Sequence, residues 1–213
     1  MVARIGVLAL QGDFAAHARA LRGAGALPVE VRVPADLDGC AGLVLPGGES
    51  TTLLKLLEPH GLLAAIPAFH RDGGALFGTF AGAILLARRV VPAQPALGLI
   101  DLAVERNAYG RQRESSEGEA EPTPALVALL GPGEAAAPLP MLFIRAPRLL
   151  DLGPGVEPLA TWRGETVLVR EDRAWACTGH PELTVDLRLH RAFIACATRR
   201  PARDAACATA GTT

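Results

Sequence analysis

Short, almost wholly apolar runs punctuate the first half of the chain: "RIGVLAL" (4–10), "GLVLP" (42–46) and "ALFGT" (75–79). They constrain the fold more than any other feature. A strand with one face in water alternates apolar and polar residues, whereas one that is apolar throughout must be covered on both sides. Between these runs the pattern changes to a helical period. Residues 13–23 place Phe14, Ala18 and Leu21 on one face, and "STTLLKLLEPHGLL" (50–63) opens with a Ser suited to capping a helix. "PVEVRV" (28–33) reads as a further strand and "FAGAILLARR" (80–89) as a further helix. Such alternation predicts an α/β fold, a mostly parallel sheet with helices on both faces.

The second half is richer in strand patterns, at 97–106, 141–147, 156–162, 166–171 and 174–179, with a closing helix over 184–197. The segment 111–140, dense in Gly, Pro, Ala and Glu, reads as a loop around one short helix. One domain is expected over 1–200, with a disordered tail over 201–213.

At 213 residues the chain can bury a sizeable core. Its net charge of −1 lacks the basic excess that drives binding to nucleic acid or an anionic membrane. No apolar run approaches the roughly 20 residues of a membrane helix. "MVARIGVLALQGD" has neither the long apolar stretch nor the cleavage site of a signal peptide, so a cytoplasmic location is expected. Four cysteines (Cys40, Cys177, Cys196, Cys207) form no C-x-x-C pair, and the five histidines lie far apart in sequence. Neither a disulfide framework nor a metal site is expected.

Three turns fall at the ends of strands, where open α/β sheets bind ligands. Gly78-Thr79-Phe80-Ala81-Gly82 has the small-x-nucleophile-x-small form of an elbow that lifts one side chain above a sheet, yet the lifted residue is Phe80. "LPGGEST" (45–51) exposes backbone N–H groups able to hold an anion, without the Lys-Ser/Thr ending of a P-loop. "GHPEL" (179–183) sets His180 and Glu182 two apart, the spacing at which a carboxylate can orient an imidazole base.

"GVLALQGDF", "LPGGEST", "GTFAGAILLA", "RNAYGRQ", "FIRAP" and "HPELTVDLRLHRAF", taken in order, resemble the glutaminase subunits of pyridoxal 5′-phosphate synthase, a branch of the triad (class I) glutamine amidotransferases. The resemblance runs from about residue 4 to 197 and implies a three-layer, flavodoxin-like fold. It implies release of ammonia from L-glutamine for a synthase subunit, with one glutaminase per synthase subunit. No cofactor is implied, pyridoxal 5′-phosphate being the product of the complex. By the same resemblance His180 is the general base and Glu182 its orienting acid. Gly48 and Ala81 are the oxyanion donors; Gly48, Glu49, Ser50, Arg106, Ile144 and Arg145 hold the glutamine. Gln11 lies near the synthase interface. An Arg fork suits the carboxylate of such a substrate.

The departure falls on the nucleophile, because the family requires Cys where this chain has Phe80. Two further positions differ: Gly179 replaces a Phe before the catalytic His, and Ser115-Ser116-Glu117 stands where the family has Ser-Phe-Glu. The space left at Gly179 could accept the Phe80 ring, a volume-conserving exchange. Three explanations of Phe80 stand open: an error or laboratory change in the sequence, Cys and Phe codons differing by as little as one base; a natural degenerate subunit that keeps the fold, with or without the docking surface; or transfer of the nucleophile to Cys177. Strand alternation puts Cys177 on the side opposite His180.

Overall fold

The computed structural model describes residues 2–106, 116–130 and 137–199. In chain order the elements begin β1 (Arg4–Leu8), α1 (Phe14–Gly23), β2 (Leu27–Val31), β3 (Gly42–Leu45), α2 (Ser50–Leu57), α3 (Leu62–Arg71), β4 (Ala75–Thr79) and α4 (Ala81–Leu86). There follow β5 (Ala87–Val91), β6 (Ile100–Glu105), β7 (Ser116–Pro122), α5 (Pro124–Leu130), β8 (Leu139–Phe143) and β9 (Arg148–Leu150). The last described elements are β10 (Glu157–Trp162), β11 (Glu165–Glu171), β12 (Ala174–Cys177) and α6 (Arg188–Thr198).

Among the described residues, nine strands form one sheet in the order β2-β1-β3-β4-β12-β11-β10-β7-β8. The half from β2 to β12 is parallel and the half from β12 to β8 is antiparallel. The apolar runs lie in the parallel half, where they feed both faces. Leu43, Leu45 and Leu76 pack on one side with Leu53 and Leu57 of α2 and Ile66 of α3. Val44, Ala75 and Phe77 pack on the other with Leu21 of α1 and Phe193 of α6. A small sheet, β5-β6-β9, adds to the first side.

Three expectations shift in the structure. The helix expected over 50–63 ends at Leu57, and a second begins at Leu62 after Gly61 turns the chain at φ 71°. The helix expected to reach Arg89 stops at Leu86 because the next five residues pair with β6. Part of the 111–140 loop is strand: Glu117, Glu119 and Glu121 point outward while Ala120 is buried. That period of two was present in the sequence, but its inward residues are too small to read as apolar. The tail over 201–213 and most of "RNAYGRQ" lie outside the described residues.

Candidate functional site

The loops after β1, β3, β4 and β12 converge at one edge of the parallel half. After β4 the chain turns so sharply that a Cβ on Gly82 would lie 2.0 Å from the Leu45 carbonyl oxygen. Only glycine lets α4 start this close to β3. The turn holds Phe80 at φ 47°, ψ −101°, a strained backbone of the kind found at nucleophile elbows. The Phe80 N–H donates to the Cys177 carbonyl at 2.8 Å, tying the elbow to β12.

The turn after β3 runs through Gly48 at φ 155°, a conformation that favours glycine. The Gln11 side chain packs against Gly48 and accepts from the Glu49 N–H at 3.0 Å. Glu49 caps α2, accepting from Thr51 N at 3.4 Å and Thr51 Oγ1 at 3.0 Å. Arg106 approaches Glu49 with Nη2 3.6 Å from Oε1, and its Nη1 donates to Gln94 Oε1. The same Gln94 oxygen accepts from Ser50 Oγ at 3.3 Å. Arg145, exposed and at φ 50°, completes the rim.

Gly48, Glu49, Ser50, Phe80, Arg106 and Arg145 therefore line one pocket, which retains about 30 Å³ of free volume. That is room for a water, not for an amino acid. Ile144 is half-buried beside Arg145 and does not line it. Ala81, buried, opens α4 directly after the elbow.

His180 and Glu182 meet as their spacing predicts, Nδ1 to Oε1 at 2.8 Å, with both residues buried. Burial opposes ionisation of Glu182, but the facing His17 and His180 rings outweigh it and hold the carboxyl below its usual range. The Phe80 ring stacks on the His180 imidazole, centroids 5.2 Å apart and planes 28° from parallel. It does not take the place of the side chain missing at Gly179. The nearest atoms there belong to Phe143, Leu142 and Met141, 3.2–3.3 Å from where a Cβ would sit. Cys177 is buried with Sγ 3.8 Å from Met141 Sδ, and burial pushes its thiol up to about 12. A thiol so protonated is no nucleophile at neutral pH.

Asp13, His180 and Glu182 bring one potential ligand atom each within 4.8 Å of one another. The Nδ1 of His180 is already engaged by Glu182. Sequence reasoning missed Gln94, His17 and His190. For His17 a signal existed, since it falls between Phe14 and Leu21 on the buried face of α1.

An elbow after β4, a glycine turn after β3 and a His–carboxylate pair after β12 define a glutamine amidotransferase type of site. The fold agrees: a solved structure described as a glutamine amidotransferase aligns with TM-score 0.81 at 45% identity, covering 91% of this chain and 98% of its own. PurLQS from Thermotoga maritima, at 15% identity and TM-score 0.71, shares the fold. The chain belongs to the SNO glutamine amidotransferase family, whose model it matches over residues 7–199. It is 48% identical over 202 residues to a Deinococcus radiodurans protein named pyridoxal 5′-phosphate synthase subunit PdxT, covering 92% of this chain and 98% of that one. The Thermus thermophilus protein of the same name is 49% identical over 193 residues, with 89% and 95% covered.

Proposed function

We propose that this chain occupies the glutaminase position of a pyridoxal 5′-phosphate synthase in the cytoplasm, docked one to each synthase subunit, with no cofactor of its own. The observation that carries the reading is the His180–Glu182 pair beside an elbow and an anion-binding turn. With Cys at position 80, the thiol proton passes to His180 as sulfur attacks the glutamine carboxamide carbon. The Gly48 and Ala81 N–H groups hold the oxyanion, and protonated His180 gives its proton to the departing ammonia. Water, deprotonated by the same imidazole, then cleaves the thioester to glutamate. Arg106 and Arg145 suit the substrate carboxylate, Glu49 its ammonium group, and Ser50 and Ile144 flank them.

Phe80 removes the sulfur and fills the volume the carboxamide needs. The stacking of its ring on His180 favours a second reading, a pseudo-glutaminase that serves the synthase as scaffold or regulator. The test is ammonia release from glutamine by the chain and by its Phe80→Cys variant, each mixed with a synthase subunit, with complex formation followed by sedimentation. A silent but complex-forming parent beside an active Phe80→Cys variant is expected. A parent that turns over glutamine would refute the silencing by Phe80, and failure of both forms to bind a synthase would refute the partner.

A further inference from the structure

Behind Glu182 lies a second, wholly buried histidine. His17, from α1, places Nε2 3.4 Å from Glu182 Oε2 and 2.9 Å from Thr79 Oγ1. Its Nδ1 lies 3.4 Å from Nε2 of His190, a buried residue of α6. Glu182 Oε2 is itself buried and has no hydrogen-bond partner among the described residues, His17 Nε2 being a charge-range neighbour rather than a hydrogen-bonded one. A carboxylate oxygen in that condition is costly unless a donor faces it.

The donor directions follow from elimination. His17 Nε2 pairs with Thr79 Oγ1 at 2.9 Å and stands 3.4 Å from Glu182 Oε2; a hydroxyl can donate or accept whereas a carboxylate oxygen only accepts, so a protonated Nε2 is the form that suits both. His17 is neutral, because burial lowers its affinity for a proton more than Glu182 raises it, and His180 and Asp13 act in opposite senses. Its Nδ1 is then a lone pair and accepts from the His190 Nε2–H. The order runs one way: His190 Nε2–H to His17 Nδ1, His17 Nε2–H to Thr79 Oγ1 with Glu182 Oε2 facing the same proton at 3.4 Å, and His180 Nδ1–H to Glu182 Oε1. It leaves His180 Nε2 as the free base.

We infer that His17 is a positioning residue of the site: through Glu182 it fixes the tautomer of His180, with His190 fixing His17 in turn. The inference rests on the glutaminase reading only for its catalytic consequence; the wiring can be measured in the chain as it stands.

The measurement is long-range nitrogen–proton NMR of the histidine rings in the Phe80 chain, which reports each tautomer. His17 is expected as Nε2–H and His180 as Nδ1–H, the latter in excess by about tenfold or more, as one hydrogen bond to a charged group provides. A His17 found as Nδ1–H overturns the wiring without any variant. Two substitutions then separate positioning from packing. His17→Gln sets an amide N–H where Nε2 was and is expected to keep the His180 tautomer; His17→Asn sets it where Nδ1 was and is expected to lose the excess. Equal effects from both, or none from either, overturn the inference. In the Phe80→Cys chain with a synthase subunit, His17→Asn should lower kcat by about tenfold or more at unchanged KM, and His17→Gln should largely restore it. Should Phe80→Cys prove silent, the glutaminase reading fails while the ring spectra still decide the role of His17.

Discussion

The backbone at Phe80, at φ 47° and ψ −101°, is strained for any residue with a Cβ, and a benzyl side chain does nothing to relieve it. Such a conformation costs on the order of 1–3 kcal/mol. In this chain the strain persists without the sulfur it would present. Comparing Phe80→Ala with Phe80→Gly isolates that cost, since both delete the ring and only glycine accepts the angle. Phe80→Gly should be the more stable in urea by about 1 kcal/mol, despite the usual entropic penalty of glycine. Equal midpoints would show an unstrained elbow. Phe80→Ala should also open the pocket, so that glutamine binding becomes measurable by calorimetry where the parent gives no heat. At the neighbouring pair, Glu182→Gln in the Phe80→Cys background should lower kcat by about 10²–10⁴-fold, because the His180 tautomer loses its anchor.

At the scale of elements, the elbow depends on α4 crossing β3 with no side chain between them. Gly82→Ala must drive a methyl group into the Leu45 carbonyl, and the backbone there has no flexible end to move aside. A loss of about 3 kcal/mol in a denaturant titration is expected; a change under 0.5 kcal/mol would mean the turn can shift. This junction was legible in the sequence as Gly-x-x-x-Gly after an apolar strand, as was the His180–Glu182 pair from its spacing. Those features are local. The splitting of the helix at Gly61 was also signalled, by Pro59 and Gly61 together. What the sequence hid depends on pairing between distant segments: β7 built on Gly118 and Ala120, β5 claiming residues with a helical pattern, and Gln94 brought onto Arg106 and Ser50 by the loop before β6. No local pattern encodes where a partner strand will lie.

At the scale of the whole molecule, the buried histidines make stability depend on pH. Burial pushes His190 down to about 3, with His17 acting the same way, and His17 is lowered by burial too. In the unfolded chain both titrate near 6.5. Above that pH they are neutral in both states and exact no penalty. As pH falls below it the unfolded chain takes up protons that the native state refuses, so stability declines down to the folded-state values. Each such group contributes a slope of about 1.4 kcal/mol per pH unit within its window. Glu182, held low in the folded state, adds a loss of the same sign below the ordinary carboxylate range. Urea midpoints should therefore fall between pH 7.5 and 5, and His190→Gln should flatten the decline. A midpoint unchanged over that interval would mean these imidazoles are not buried in neutral form.

The strand that completes the parallel half, β12, is the last of the described strands in chain order, yet it sits between β4 and β11 at the middle of the sheet. A ribosome delivers it about 100 residues after β4, which at 5–20 residues per second is roughly 5–20 s later. Throughout that interval β4, apolar on both faces, presents an unpaired edge to other nascent chains. Translation products halted before Ala174 should therefore aggregate or be held by chaperones, whereas chains released after Thr198 should not. Birth of this protein thus includes an obligatory wait for its keystone.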